Sequence, residues 1–588
     1  MPRSFEPVPK TRKNGILSLC FLLFLLIYFQ YFNLQVLQHE KHSRKSKNNS
    51  LRKLVIPAPR GIIYDRNGQP LVDNMPIFEV KVRPVDVTED FDYDVFAKEL
   101  KLDIFQIKSY LDSLKHSGGK FNPNLIKRHL EFSTISRLEE NRLELPGIVF
   151  SELPARIYPS QAKLSHTLGY LRTVTTDVLN TSDPTLGYLK DDIYGAAGLE
   201  SYYESSLRGH NGFEYHLVDN RGIDHGLFLD EIRQAPVKGN VLNLTIDHDM
   251  QVKVEALLDG YNGAIICSIP ETGEILAISS APDYPLNSFI GPIPIKMWNS
   301  WNNNDSKPLF NRSVNGLYPP GSTLKLVAAA MVMETPRINE NWQVMCDGSY
   351  RFGNRTYHCW KLDGHGSLNL LGALKHSCNI YFYQLIQNYN LAQWGEFAHA
   401  FGFGKKTGID IPFESSGLIP DKNYLNEKYT SRGWSTGNLL SFVLGQGDVL
   451  ATPLQVLHMV NLIASDGIAG KLHLNADIQP DLDSLHVKRK TIKFLKKAMY
   501  TVVNGEKGTG ENAQISGFGK VYGKTGTAEN PQGEPHSWFT GFIELENARK
   551  LSLCIIIENG GKGSLVAAPI AKQIFELFSE KGHVQASI

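Results

Sequence analysis

Three short groups of residues in the second half of the 588-residue sequence combine side chains that can do covalent chemistry. They are Ser322-Thr-Leu-Lys325, Ser377-Cys378-Asn379 and Lys524-Thr525-Gly526-Thr527. The first follows Tyr318-Pro319-Pro320-Gly321, where proline cannot continue an earlier helix and glycine permits a tight turn, so a helix is expected from about Ser322. Residues three apart share a helix face, which brings the Lys325 amine within reach of the Ser322 hydroxyl. A serine hydroxyl is a weak nucleophile until a neighbouring base removes its proton. Lys325 can act as that base if nearby cations keep it neutral. A helix N-terminus adds backbone N–H groups and positive potential where oxyanion charge develops. Taken alone, a Ser-x-x-Lys tetrad is more often a stretch of solvated helix than a nucleophile, and each of the other two groups is as uninformative by itself.

These groups need elements to hold them. VYGKTGTAE alternates like a strand, with a glycine where a substrate backbone needs close approach. AIICSIP and EILAISSAP flank Glu-Thr-Gly as a hairpin from Gly263, and SWFTGFIEL with LSLCIIIENG forms a later strand pair. AAPIAKQIFELFS closes the chain as an amphipathic helix. Strands at both ends with helices between predict an α+β domain over 256–588, an antiparallel sheet packed by helices. Upstream, RGIIYDRNGQPLV reads as strand, Asn-Gly turn and strand. Residues 80–255 mix strands with helix-like stretches such as VFAKELKLDIFQIKSYLDSLK and hold no obvious reactive cluster. A non-catalytic, extended pedestal is therefore expected over 37–255, opening with a charged, Ser/Asn-rich stalk (37–59).

Between Asn14 and His39 there is no charged residue, and Gly15–Phe32 is nearly all apolar, about the length a helix needs to cross a bilayer. A cleaved signal peptide would have a shorter apolar core followed by small residues, whereas this run ends in Phe29-Gln-Tyr-Phe-Asn33. An uncleaved anchor over 14–36 is expected. Arg3, Lys10, Arg12 and Lys13 would keep residues 1–13 cytoplasmic and place everything after the anchor on the other side. A net charge of +1 gives no reason to expect nucleic acid as a partner.

The three groups together are the signature shared by serine β-lactamases and penicillin-binding proteins. The sequence resembles the class B penicillin-binding proteins over nearly its whole length. RGIIYDRNGQPL resembles their entry motif after the anchor, GAAGLESYYESSLRGHNG (195–212) their interdomain G-x-x-G-x-E element, and LGQGDVLATPLQ (444–455) their G-x-G segment. FNRSVNGLYPPGSTLK and SLRGHNGFEYHLVDNRG resemble the cell-elongation branch more than the division branch, which remains the near alternative. The resemblance implies that Ser322 is acylated with Lys325 as its base. It makes Ser377 a proton relay to the leaving or attacking amine, and Asn379 a holder of the substrate amide and the Lys325 side chain. It gives Lys524 control of the local field, and makes Thr525 and Thr527 receive the terminal carboxylate of a D-Ala-D-Ala stem peptide, with Gly526 between them also substrate-binding. The backbone N–H groups of Ser322 and Thr527 would form the oxyanion hole. β-Lactams become covalent inhibitors, and no cofactor is needed for the chemistry. No second catalytic domain precedes residue 255, so the resemblance also implies a separate multi-pass glycan polymerase as partner. A β-lactam sensor or silent scaffold is a rival, as is a hydrolase (a D,D-carboxypeptidase or β-lactamase). Intact motifs and the lack of a signalling domain disfavour the first, and the large preceding domain disfavours the second.

Cys346, Cys359, His365 and Cys378 follow a C-x12-C-x5-H-x12-C spacing. Three cysteines and a histidine are a common closed set for structural zinc. If Ser377 and Asn379 face the cleft, Cys378 between them points away, so a metal would brace that loop from behind. A Cys346–Cys359 disulfide, or a merely buried Cys378 with His365 in a turn, remain alternatives, and His358, Asp347 and Asp363 are possible substitute ligands.

Overall fold

A computed structural model describes residues 10–39, 51–116, 120, 123–188, 192–218, 224–228, 233–291, 293–430, 433–516 and 519–586. Residues 1–9 of the expected cytoplasmic tail and 40–50 of the charged stalk lie outside these residues. The apolar run forms a helix over Lys10–Phe32, continued by a wider turn at Asn33–Leu37. It is the one helix among the described residues long and apolar enough to span a membrane. Its large apolar side chains are exposed, as those of Phe21 and Phe24 show.

Packing divides the chain into two units. The first combines residues up to Pro59 with Pro76–Pro154 and Gly209–Lys238. There, Leu51–Ile56, Gly212–Val218 and Asp224–Leu227 form a three-stranded antiparallel sheet. A separate core gathers Val80, Val82, Phe96, Leu111 and Leu138 under the helices Tyr93–Leu100, Ile104–His116 and Phe132–Glu140. The helix-like stretch of the sequence is thus two helices, the first ended by Lys101 in the left-handed region.

The second unit contains Arg60–Met75, Ala155–Arg208 and Gly239–Ile588. Ile63–Tyr64 returns on Pro70–Val82 through a loop tied by Asp65, which accepts from the backbone N–H of Asn67 and Gln69 (2.9 and 2.7 Å). The expected hairpin forms, with a longer turn than two residues. Leu242–Asn243 adds to Ile63–Tyr64 in parallel.

Five antiparallel strands form the central sheet, in the order Ile275–Ala281, Gly263–Ser268, Lys550–Ile557, His536–Glu544, Lys520–Ala528. Its first and last strands come from opposite ends of the domain, as the sequence pattern predicts. Both faces are covered, which explains why these strands read as near-continuous apolar runs. On one face Ile266, Ile556, Trp538 and Phe542 join the core of the helices Lys325–Glu334, Asn379–Ile386 and Pro453–Ala464. On the other, Ile265, Cys267, Phe539 and Ile555 pack against Met250 and Val254 and against Ile574 and Phe578 of the C-terminal helix. Burial of each such side chain contributes roughly 1.5–3 kcal/mol before entropy is subtracted. The Lys520–Ala528 strand is therefore an edge seated on a rigid, two-sided core.

Candidate active site

Gly321–Leu324 is a single 3-10 turn, and the α-helix runs from Lys325 to Glu334. Ser322 therefore sits in the turn before the α-helix, which starts three residues later than expected. The turn is held on three sides. Gly321 N donates to Gly445 O (2.9 Å), and Tyr318 and Ala451 exchange backbone bonds (3.0 and 2.9 Å). Trp538 Nε1 donates to Pro319 O (3.1 Å), and Thr323 Oγ1 to Pro320 O (2.7 Å). Gly321 has φ +58°, and a Cβ on Gly445 would lie 2.4 Å from Gly321 O. Glycine is required at both places, so the G-x-G segment is the seat of the Ser322 turn.

Ser377 and Asn379 occupy the corner between the helices Leu370–Lys375 and Asn379–Ile386. Ser377 adopts φ +51°, an unfavourable left-handed conformation for a residue with a side chain. Backbone bonds from Ser377 N to Leu374 O (3.2 Å) and Cys378 N to Ala373 O (2.9 Å) fix the reversal. Lys325 Nζ donates to Ser377 O (2.9 Å), Asn379 Oδ1 (2.8 Å) and Ser377 Oγ (3.3 Å). From the sheet edge, Lys524 Nζ donates to the same Ser377 Oγ (3.0 Å) and to Thr525 O (2.8 Å). All three groups predicted from sequence thus converge on the Ser377 hydroxyl. The bonds of Lys325 run to Ser377 and Asn379, and Ser322, half-buried beside them, makes no side-chain hydrogen bond to any described residue.

Both lysines are fully buried, and neither has a carboxylate partner among the described residues. Burial pushes the Lys325 amine down to about 8. The sequence-based expectation placed the cause in neighbouring cations; the dominant cause is loss of water. Lys524 is held well below the ordinary lysine range, first by burial and second by Lys325.

The edge strand presents its backbone to the cleft. Thr527 O accepts from Gln446 Nε2 (3.3 Å) and Thr525 O from Lys524. In a strand a residue's N–H and C=O point to the same side, so the Thr527 N–H also faces outward. Gly526 is also required by the protein's own packing. A Cβ there would lie 2.9 Å from Trp538 Cβ, 3.2 Å from Thr323 Cγ2 and 3.3 Å from Pro320 O. Its missing side chain lets the strand pack on the Ser322 turn. Sequence reasoning also missed Thr509, whose Oγ1 lies 2.9 Å from Thr525 Oγ1, and no motif distinguishes that threonine.

Behind the corner, Cys346, Cys359, His365 and Cys378 place their ligand atoms within 4.8 Å of one another. All six cysteines of the sequence are free thiols, which removes the disulfide alternative. Cys346 Sγ and Cys359 Sγ each lie 3.5 Å from His365 Nδ1. That is close to the ~3.6 Å sulfur–nitrogen edge of a tetrahedral zinc site with bonds of about 2.3 and 2.1 Å. Local backbone supports the set: Cys346 pairs with Gly366, Cys359 N donates to Gly348 O and His365 N to Cys346 O (both 2.9 Å). His358, Asp347 and Asp363 are exposed outside it. Burial alone would raise the Cys359 thiol, but its hydrogen bond with Cys378, the largest influence, brings it down and favours a thiolate.

Residues 263–576 match the penicillin binding protein transpeptidase domain, and residues 55–244 the penicillin-binding protein dimerisation domain. The peptidoglycan D,D-transpeptidase MrdA of Haemophilus influenzae is 31% identical over 570 residues, covering 91% of this chain and 86% of that protein. Among solved structures, penicillin-binding protein 2 of Helicobacter pylori in complex with MreC superposes with a TM-score of 0.77 at 28% identity, over 90% of this chain and 99% of that one. A chain from a peptidoglycan synthase complex described as coordinating polymerization and crosslinking matches with a TM-score of 0.70 at 26% identity, over 97% and 99%. The chain belongs to the penicillin-binding protein transpeptidases and, within them, is a peptidoglycan D,D-transpeptidase of the penicillin-binding protein 2 type.

Proposed function

We propose that Ser322 carries the acyl group when this enzyme cross-links stem peptides during cell elongation. The observation behind this reading is the Ser377 hydroxyl held between Lys325 and Lys524, at 3.3 and 3.0 Å. A neutral Lys325 takes the Ser322 proton as Oγ attacks the penultimate D-alanine carbonyl. The N–H groups of Ser322 and Thr527 hold the oxyanion. Ser377, supplied with protons by two amines, delivers one to the departing D-alanine nitrogen. An amine from a second stem then attacks the ester and loses its proton through the same relay, restoring the Ser322 hydroxyl. Asn379 keeps Lys325 aimed and holds the substrate amide. Lys524 makes the cleft attractive to anions, and Thr525 and Thr527 take the terminal carboxylate. Labelling with a fluorescent penicillin tests the assignment: wild type should label and Ser322→Ala should not, whereas covalent labelling of Ser322→Ala overturns it.

Cys346, Cys359, His365 and Cys378 would hold a structural zinc ion. Bound there it would supply no acid–base chemistry, only a fixed anchor for the residue between Ser377 and Asn379. Purified protein should contain about one zinc per chain, and Cys378→Ala should lose it. Zinc-free wild type, or retention in Cys378→Ala, sinks the assignment.

In this reading Arg3, Lys10, Arg12 and Lys13 keep the tail cytoplasmic, so the catalytic domain (256–588) lies outside the cytoplasm with residues 37–255 as its pedestal. A multi-pass glycan polymerase of the elongation machinery is the partner this arrangement needs, because no polymerising site is evident before residue 255. Similarity to a chain of a peptidoglycan synthase complex supports that partner.

A further inference from the structure

Thr509 lies in the loop between the helix Arg489–Asn504 and the Lys520–Ala528 edge strand, among three glycines: Gly505, Gly508 and Gly510. The loop is pinned, since Gly508 N donates to Gly505 O and Gly510 N to Val502 O (both 2.9 Å). Thr509 is half-buried and contacts one catalytic group and the helix end that leads into another. Its backbone N–H donates to Lys375 O (3.3 Å), two residues before Ser377, and its hydroxyl lies 3.4 Å from that same carbonyl. The Thr525 hydroxyl lies 2.9 Å from the Thr509 hydroxyl.

Donor rules fix the proton order in this chain. A carbonyl oxygen only accepts, so the Thr509 hydroxyl donates to Lys375 O, and its own oxygen accepts from Thr525. In that arrangement the Thr525 proton points along the chain and away from a ligand. A carboxylate also only accepts, so receiving one requires Thr525 to turn its proton outward. Its oxygen is then left without a donor unless Thr509 swings its proton from Lys375 O to Thr525 Oγ1. Nothing is orphaned by that swing, because Lys375 O keeps the Thr509 N–H. The long 3.4 Å bond is the one given up, and the short 2.9 Å contact is kept with its direction reversed.

We propose that Thr509 is a positioning residue for carboxylate recognition, whose hydroxyl completes Thr525 as a donor and so selects substrates ending in a free carboxylate. This rests on the reading of Thr525 as a carboxylate-receiving residue. An amide-terminated substrate behaves differently, because its own N–H can donate to Thr525 Oγ1 and needs no help from Thr509. The two substrates therefore separate carboxylate selection from general bracing of the cleft.

The experiment measures acylation of the full-length enzyme by an acyl-D-Ala-D-Ala peptide and by its C-terminal amide. Thr509→Val should lower the acid-to-amide ratio of kcat/KM by about five- to tenfold, the size of one lost hydrogen bond between neutral groups. The loss should appear in KM for the acid, with the amide nearly unmoved. Thr509→Ser, which keeps the hydroxyl, should restore the ratio. Equal falls for both substrates, or a serine variant that behaves like valine, would reduce Thr509 to a loop brace and overturn the proposal. Thr525→Val separates the two readings. If it loses the ratio while Thr509→Val keeps it, this proposal alone fails; if Thr525→Val keeps the ratio, the reading of Thr525 and this proposal fall together.

Discussion

Two groups of charged side chains are buried in the second unit, and they are built in opposite ways. Around Glu200, every charge has a counter-charge. Arg60 donates to Glu200 and Glu204 (both 2.7 Å), Arg156 Nε to Glu200 (2.8 Å), and Tyr188 Oη to Glu204 (2.9 Å). Burial on its own would raise the Glu200 carboxyl, but Arg156 and Arg60 outweigh it and hold the group below its usual range. Around Ser377, two fully buried lysines share one hydroxyl and have no carboxylate among the described residues. The matched set can stay charged and hold distant segments together. In the unmatched set burial disfavours the charged form of each amine, and a lysine that has lost its proton is a base. Complete pairing marks the joint, and deliberate lack of pairing marks the reaction centre.

The largest test of this contrast is Lys325→Met. Removal of the base should slow penicillin acylation by about 10²–10⁴-fold, while thermal unfolding shifts little, since relief of a buried amine with no counter-charge offsets the hydrogen bonds lost to Ser377 and Asn379. A large fall in melting temperature would show that Lys325 is structural. The opposite signature is expected of Glu200→Gln. Two buried guanidinium groups lose their shared carboxylate, which should cost about 3–5 kcal/mol in urea unfolding, with Ser322 labelling normal in the molecules that remain folded. Next in size is the pH dependence. Lys325 must be neutral to accept a proton, so acylation should rise about tenfold per pH unit below 8 and level off above it. A rate flat from pH 6 to 9 would exclude Lys325 as the base. The smallest effect is that of Tyr188→Phe, which removes one hydrogen bond to Glu204 and should cost about 1 kcal/mol with no change in acylation; measurable loss of acylation would blur the separation of the two clusters.

Much of the reaction centre could be read from the sequence because its chemistry is carried by local residue types. Ser322, Lys325, Ser377, Asn379 and Lys524 stand out by type and order taken together, and the side chains of Lys325, Ser377, Asn379 and Lys524 do meet. Placing Cys378 behind the loop needed only the alternation of neighbouring side chains. The sequence does not show how far Ser322 stands from the helix proper, because a 3-10 turn and a first α-turn share the same residue preferences. Gly526 was legible as a required glycine, but its packing against Trp538 and Thr323 from other elements was not. The Glu200 cluster was invisible as a contact, since Arg60 and Glu200 are 140 positions apart and only the fold joins them. Thr509 gave no signal, because a threonine among glycines is ordinary loop chemistry.

The lysine pair has a further consequence. Two amines whose charged forms are disfavoured by burial, placed around one hydroxyl, make the cleft floor a charge regulator with no fixed potential. An arriving carboxylate favours the protonated form of each amine and should draw a proton from solvent as it settles, before any bond is made. Affinity for anionic ligands then carries a proton-uptake component, so it should weaken at alkaline pH where acylation itself is fastest. Calorimetry in buffers of different ionisation heats would register that uptake as a buffer-dependent binding enthalpy.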